Sequence, residues 1–164
     1  LRDTVSEILG PENQSELDKF VELFIKMHDE QVIKYTRPYP NVVEVLKQVY
    51  DKNIPMAVAT NKRLTPTKKL INHFGWEDYF VFIECSDSQP QIRDKDTMIQ
   101  DIINSDESFH GSYFVGDTVN DGLSGNLNQL PFIKACYGYG RDQDWSKVTV
   151  FKEIHQFIEI LELI

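Results

Sequence analysis

The chain has 164 residues, of which 41% are hydrophobic and 12% aromatic, so it has enough apolar side chains to form the core of one folded domain. Its 17 basic and 26 acidic residues give a net charge of −9, which argues against binding to nucleic-acid phosphates, because that needs clustered cations. No apolar run approaches the roughly 20 residues of a membrane-spanning helix, and no signal-peptide pattern opens the chain. We therefore expect a cytoplasmic protein with no membrane partner and, because residue 1 is leucine, part of a longer chain.

The first third of the chain is predicted to be helical. A candidate cap at Ser15 precedes an apolar stripe at helical spacing, which continues to Tyr35 and begins with Phe20, Leu23, Phe24 and Met27. Two prolines within the run 37–40 end this pattern, because proline cannot continue a helix. We place a domain boundary there, which divides the chain into residues 1–36 and 37–164.

Beyond residue 40, helical patterns alternate with short apolar runs. Strands are predicted at 54–60, 79–85, 112–116 and 131–137, with a fifth, shorter strand around Val148 and Val150. Helices are predicted at 42–50, 66–74, 95–104 and 122–129, and an amphipathic helix from Ile154 ends the chain. Strands that alternate with helices favour an α/β fold with a Rossmann-like, doubly wound parallel sheet.

Polar side chains follow two of the predicted strands. Thr60 and Asn61 follow the first strand, and Asp117 follows the third, with Asp121 four residues later. Ligands bind beyond the carboxyl ends of strands in such sheets. A hydroxyl and backbone N–H groups at a helix start suit a phosphate, and two carboxylates suit a hard cation such as Mg²⁺.

Lys95 opens the helix before the third strand, where its ammonium could balance phosphate charge. Each residue also has a simpler structural interpretation. Thr60 could reflect strand propensity, Asp117 turn chemistry, and Asp121 a favourable interaction with a helix dipole. Lys95 could be a solvated helix residue. The four residues together, in this order along the chain, favour the functional interpretation over the structural one.

Three sequence strings resemble motifs of the haloacid dehalogenase superfamily, closest to its phosphoglycolate-phosphatase-like members with a helical cap. ATNK at 59–62 resembles the second motif, RDKDTMIQDII at 93–103 contains a lysine that resembles the third, and FVGDTVND at 114–121 resembles the fourth. RPYPNVVEVLKQV at 37–49 and YGYGR at 137–141 are also similar to that subgroup. The resemblance implies that residues 1–36 are the later part of a helical cap and that 37–164 form the α/β core.

The resemblance also implies a role for each candidate residue. Thr60 and Asn61 would bind the phosphoryl group, Lys95 would stabilise its charge, and Asp117 and Asp121 would hold Mg²⁺, Asp121 either directly or through water. The implied substrate is a small phosphomonoester, hydrolysed through an aspartyl-phosphate. The family's lysine commonly precedes proline, whereas here Pro90 lies five residues before Lys95; Lys62 and Lys68 match less well in position.

The nucleophile motif of the family, a DxD sequence at the end of an N-terminal strand, has no match here. The three short acidic sequences, at Asp3, 94–96 and 142–144, do not follow buried strands. In the family this strand lies between the strands that carry the second and fourth motifs. We therefore expect a core that lacks its first strand and a chain that does not turn over substrate alone. A non-catalytic module of the same family and a receiver- or flavodoxin-like phosphate-binding domain are the alternatives.

The cysteines and histidines give no metal-site prediction. Cys85 and Cys136 fit a reducing compartment and show no metal-ligand spacing. The four histidines are scattered along the chain and form no ligand pairs, so they are predicted to have no shared function.

Overall fold

The computed structural model describes residues 2–10, 13 and 16–164 of the chain. Its α-helices are α1 (Arg2–Leu9), α2 (Leu17–Tyr35), α3 (Val42–Asp51), α4 (Leu64–Phe74), α5 (Lys95–Ser105) and α6 (Val119–Leu127). The α2 helix confirms the predicted N-terminal helix, while the cap predicted at Ser15 lies outside the described residues. No described helix is long and apolar enough to cross a membrane.

The strands form two parallel sheets. They are β1 (Met56–Thr60), β2 (Phe80–Cys85), β3 (Phe114–Gly116), β4 (Phe132–Ala135) and β5 (Lys152–Ile154). β1 pairs with β2, and the second sheet has the order β3-β4-β5. Since α4 connects β1 to β2 and α6 connects β3 to β4, the predicted α/β architecture is confirmed.

A cavity of about 630 Å³ lies between β1 of one sheet and β3 of the other. Its walls include most of β1, the first two residues of β3 and the inner face of α5, on which Ile99, Ile102 and Ile103 lie. In the described part of the chain β1 and β3 are not hydrogen-bonded to each other. Each strand therefore has one edge without a strand partner, as expected if a strand belongs between them.

The core of the larger sheet forms around three buried side chains, Ile133, Ala135 and Ile154. Ile133 and Ala135 lie on β4, and Ile154 ends β5, where its register partner is Ala135. Successive side chains of a strand point to opposite faces. This packing therefore also determines which residues of β4 and β5 lie on the opposite face of the sheet.

Three element predictions need correction. The fifth strand is Lys152–Ile154 rather than the region around Val148 and Val150, because Val148 packs instead against Gly122 of α6. The α6 helix begins at Val119, three residues before the predicted start. The C-terminal segment is a 3-10 helix, Phe157–Glu162, and not an α-helix from Ile154. Helix α1 lies within the first third of the chain, which was predicted to be helical.

Helix α2 contacts α4 through Asp29. The Asp29 carboxylate forms an ion pair with Arg63, and its carbonyl accepts a hydrogen bond from the Lys69 ammonium at 2.9 Å. Helix α2 ends at Tyr35 and extended chain follows, close to the predicted boundary. The division into residues 1–36 and 37–164 stays a prediction.

Candidate functional site at the carboxyl ends of the strands

Asp121 is the most constrained polar residue of the candidate site. Its residue surface is only 4% exposed. One carboxylate oxygen, Oδ1, forms an ion pair with the Lys95 ammonium. The other, Oδ2, accepts hydrogen bonds from the backbone N–H groups of Asp117 at 3.1 Å and Thr118 at 2.9 Å, and from the Thr118 hydroxyl at 2.7 Å. Both oxygens therefore already have donors supplied by this chain.

This arrangement follows from local capping chemistry. Thr118 caps α6, since its hydroxyl also accepts a hydrogen bond from the Asp121 N–H at 3.2 Å, and the two residues form a capping box. Lys95 begins α5, whose cap is Asp94, which accepts a hydrogen bond from the Thr97 N–H at 3.1 Å. Two helix starts therefore position the ammonium and the carboxylate against each other.

The electrostatic environment keeps Asp121 ionised. Burial by itself raises the pKa of a carboxylic acid, because the charged form loses its hydration. Here the hydrogen bonds from Lys95 and Thr118 outweigh burial and hold the pKa of Asp121 below its usual value. The site thus contains a buried carboxylate that stays charged at neutral pH.

Asp117 lies at the end of β3 and contacts the loop after β4. Its Oδ2 accepts a hydrogen bond from the Tyr139 N–H at 2.8 Å, and its carbonyl accepts one from the Gly140 N–H at 2.9 Å. A Cβ atom at Gly138 would lie 2.2 Å from the Asp117 side chain, and one at Gly140 would lie 2.2 Å from its carbonyl oxygen. Both glycines are therefore needed for the close approach of this loop.

A pair of tyrosines lies beside Asp117. The rings of Tyr39 and Tyr137 meet edge to face with 5.0 Å between their centroids. Burial, with smaller contributions from Tyr39 and Asp117, raises the pKa of Tyr137 to about 12. The Tyr137 hydroxyl thus stays neutral and able to donate a hydrogen bond over the physiological pH range.

Thr60 ends β1 in a more open environment. Its hydroxyl accepts one hydrogen bond, from the Lys62 N–H at 3.2 Å, and Asn61 and Lys62 are exposed. Thr60 also lines a second cavity of about 280 Å³, together with Lys62 and Arg37. Most of the other lining residues are apolar, so Thr60, Lys62 and Arg37 lie at the border of a largely apolar cavity.

The structure brings part of the predicted site into direct contact. Lys95, Asp117 and Asp121 are joined by hydrogen bonds through the α6 start. In the described part of the chain, no hydrogen bond or ion pair joins Thr60 or Asn61 to these three residues. The two groups follow the two strands that line the 630 Å³ cavity, one group on each side of it.

The sequence did not predict the contribution of the loop at 138–140. Its signal is the YGYGR string, in which two glycines alternate with aromatic residues directly after a strand. Glycine at such a position often marks a close backbone approach. The tightly packed partner, Asp117, lies 21 residues before Gly138 and cannot be identified from that string alone.

The family model of the haloacid dehalogenase-like hydrolases matches residues 1–135. A phosphoglycolate phosphatase of Agrobacterium fabrum is 28% identical over 130 residues, which are 77% of this chain and 54% of that protein. The chain thus spans about half the length of this relative.

Two crystal structures share the fold. A Clostridium difficile protein superposes with a TM-score of 0.84 at 21% identity, covering 99% of this chain and 76% of that one. A predicted phosphoglycolate phosphatase of Haemophilus somnus gives a TM-score of 0.82 at 22% identity, covering 92% and 67%.

Proposed function

We propose that this chain, which belongs to the haloacid dehalogenase-like hydrolase family, provides most of the active site of a magnesium-dependent phosphatase. The substrate class is a small phosphomonoester. One observation carries the proposal: Lys95, Asp117 and Asp121 are held together at the carboxyl end of β3, beside a cavity whose other wall is β1 and its terminal Thr60. This is the edge at which parallel α/β sheets bind ligands.

The donor set fits a magnesium ion at Asp117. Its Oδ2 accepts one backbone hydrogen bond, and in the described residues its Oδ1 accepts none, so one oxygen is available as a ligand. Both oxygens of Asp121 already accept hydrogen bonds, which favours the water-mediated role over direct ligation for this residue. A Bacillus subtilis protein of similar fold, with a TM-score of 0.70 at 12% identity, was crystallised bound to magnesium.

In this proposal the remaining residues bind and orient the phosphoryl group. The Thr60 hydroxyl and the Asn61 side chain would donate to its oxygens, and the Lys95 ammonium would offset its negative charge. Asp121 acts through Lys95, since their ion pair fixes the position of the ammonium. A bound magnesium ion would supply charge neutralisation and hold one phosphoryl oxygen.

The nucleophile would come from a strand inserted between β1 and β3. Their unpartnered edges and the apolar cavity between them support such a strand, as does the relative of which this chain spans only 54%. An aspartate at its end would attack phosphorus and displace the alcohol, forming an aspartyl-phosphate, which water then cleaves to inorganic phosphate.

Phosphatase assays on two proteins test the proposal: the 164-residue chain and the product of the whole reading frame that encodes it. With p-nitrophenyl phosphate and magnesium, we expect no turnover by the 164-residue chain and turnover by the longer protein. Asp117→Asn and Thr60→Ala in the longer protein should each lower kcat/KM by at least about 100-fold, since each removes a group that acts on the transferring phosphoryl.

Asp142→Asn is the control matched to Asp117→Asn, and Lys68→Ala removes an exposed charge outside the candidate site; both should keep activity within about twofold. Turnover by the 164-residue chain that depends on Thr60 and Asp117 would contradict the role of the inserted strand. Absence of turnover in both proteins, with phosphate binding retained, would favour the alternative of a non-catalytic module. The family match makes the receiver- or flavodoxin-like alternative wrong.

A further inference from the structure

A second group of potential metal ligands lies at the carboxyl ends of β4 and β5. Cys136 directly follows β4, while Glu153 lies in β5 and His155 directly follows it. The Cys136 thiol, one Glu153 carboxylate oxygen and one His155 ring nitrogen all lie within 4.8 Å of one another. The sequence spacing predicted no ligand pairing for these residues, and the structure brings them together from separate strands.

The strand register explains why these three side chains meet. Ala135 is the register partner of Ile154, and the Cys136 N–H donates to the Ile154 carbonyl at 2.9 Å. Ile154 is fully buried, so its neighbours Glu153 and His155 lie on the opposite face. Cys136, next to the buried Ala135, continues the same alternation on the neighbouring strand. The three residues thus occupy adjacent positions on one face of the sheet.

We propose that Cys136, Glu153 and His155 form a binding site for a Zn²⁺-class transition-metal ion. A thiolate, a carboxylate and an imidazole are the ligand types that zinc takes in proteins, and three protein ligands leave one position for water. A tetrahedral ion with bonds of about 2.0–2.3 Å holds its ligand atoms roughly 3.3–3.8 Å apart. Since the ligand atoms lie within 4.8 Å of one another, the group has to close by at most about 1.5 Å, which side-chain rotation of the exposed Glu153 and His155 allows.

Neighbouring charges are compatible with a cation here. Lys134, on the same face of β4, donates to Oε1 of Glu153 at 2.8 Å and so leaves Oε2 available. The Lys134 ammonium also lies 4.7 Å from the centre of the Trp145 ring. Glu159 adds a second carboxylate, whose charge contributes to raising the pKa of the Cys136 thiol.

The protonation state of the Cys136 thiol distinguishes a metal site from a catalytic triad in which the cysteine would be the nucleophile. Burial, together with Glu153 and Glu159, raises the pKa of Cys136, so the thiol is protonated at neutral pH. A nucleophilic cysteine needs the opposite shift. A metal ion instead displaces the thiol proton on binding, so the same residue can still serve as a ligand.

The site is also distinct from the candidate magnesium site. Asp117 offers only oxygen and suits a hard cation, whereas sulfur and nitrogen ligands select softer ions. Binding at the second site would join β4 to β5 and to the start of the C-terminal 3-10 helix, since His155 lies two residues before Phe157. We expect the bound ion to stabilise the folded chain by linkage.

Titration of the reduced 164-residue chain with Co²⁺ tests this proposal directly. We expect one equivalent to bind with a thiolate-to-cobalt charge-transfer band in the near ultraviolet, and Zn²⁺ to displace it. Cys136→Ser should remove the band. His155→Ala and Glu153→Gln should each weaken Co²⁺ binding by at least about tenfold, since even mutations of residues that only hydrogen-bond to a metal ligand weaken binding by that much. Zn²⁺ should raise the Tm of the wild type but not that of Cys136→Ser.

Matched variants make the result specific. Cys85→Ser changes the other cysteine, which is buried, and His110→Ala changes a histidine outside the cluster; both should bind Co²⁺ as the wild type does. Asp117→Asn should also leave the cobalt band unchanged. A missing band in the wild type would overturn the proposal, as would a band lost in Cys85→Ser but kept in Cys136→Ser. Far-UV circular dichroism checks that each variant is folded.

Discussion

The end of β1 carries predicted phosphate-binding residues and the end of β3 carries predicted metal-binding residues, yet the chain holds the two groups very differently. At the end of β3, Asp121 is buried and accepts hydrogen bonds on both oxygens, and two glycines let the 138–140 loop pack against Asp117. At the end of β1, the Thr60 hydroxyl accepts a single backbone hydrogen bond and its neighbours are exposed. The chain therefore preorganises one half of the site and leaves the other open.

The difference follows from where each half finds its partners. The donors to Asp121 come from α5 and from the start of α6, both within this chain. β1 has one edge without a strand partner among the described strands, and a cavity lies beside it, so Thr60 has fewer partners within the described chain. Substitutions at the two strand ends should accordingly affect stability by unequal amounts.

The largest effect is expected at Asp121. Asp121→Ala removes the carboxylate and leaves the Lys95 ammonium, whose side chain is only 17% exposed, without its partner. Loss of one member of a buried ion pair costs about 3–5 kcal/mol. Urea denaturation, followed by circular dichroism, should show a lower midpoint with little change in slope.

Thr60→Ala is the matched change at the other strand end, where the free energy of unfolding should change by less than about 0.5 kcal/mol. Equal losses of stability in the two variants would contradict the proposed asymmetry. The double substitution Lys95→Met with Asp121→Ala should recover part of the lost stability, since it removes both charges.

The sequence predicted the preorganised half of the site better than its surroundings. Asp117 and Asp121 are separated by a fixed local spacing, so a strand end followed by a helix start already brings their backbone and side chains together. The contact between Asp117 and the 138–140 loop depends on how segments far apart in the sequence align, and so does the contact between Cys136 and His155. No local sequence pattern predicts this strand register.

The strands, too, were predicted correctly where a local sequence pattern marks them. Strands β1 to β4 coincide with apolar runs, and the sequence located them within a few residues. β5 was misplaced because its three residues include Lys152 and Glu153, with only Ile154 directed into the core. A three-residue strand with one apolar position has no distinctive pattern, whereas the nearby valines at 148 and 150 imitate one.

A smaller effect is expected from the glycine that lets the loop approach Asp117. In Gly138→Ala the new methyl group would lie 2.2 Å from the Asp117 side chain, so the loop or the carboxylate must move. Overpacking of this kind costs about 1–3 kcal/mol. In the longer protein, the displacement of Asp117 should also weaken magnesium activation, measured as a higher magnesium concentration at half-maximal phosphatase activity.

Gly75→Ala is its control, since a Cβ there meets no atom within 4 Å and the substitution tests only the positive φ of 68°. That variant should lose about 1 kcal/mol of stability and keep its magnesium requirement. A normal magnesium response in Gly138→Ala would show that the loop does not position Asp117.

The smallest expected effect is a change of folding stability with pH, and it is the effect most specific to the charge on Asp121. Because the folded-state pKa of Asp121 lies below its usual value of 3.8, the ionised form stabilises the fold, and this contribution is fully present above the usual value. It is lost as the pH falls from there through the lower, folded-state pKa. The difference in unfolding free energy between the wild type and Asp121→Asn should therefore be constant above about pH 5 and shrink below about pH 4.

Other carboxylates with lowered pKa values, such as Asp29 and Asp94, are present in both proteins and cancel in this difference. Thr60→Ala changes no titratable group, so its difference from the wild type should not vary with pH. A parallel pH profile for Asp121→Asn would mean that hydrogen-bond geometry, rather than charge, makes the end of β3 the more rigid half of the site.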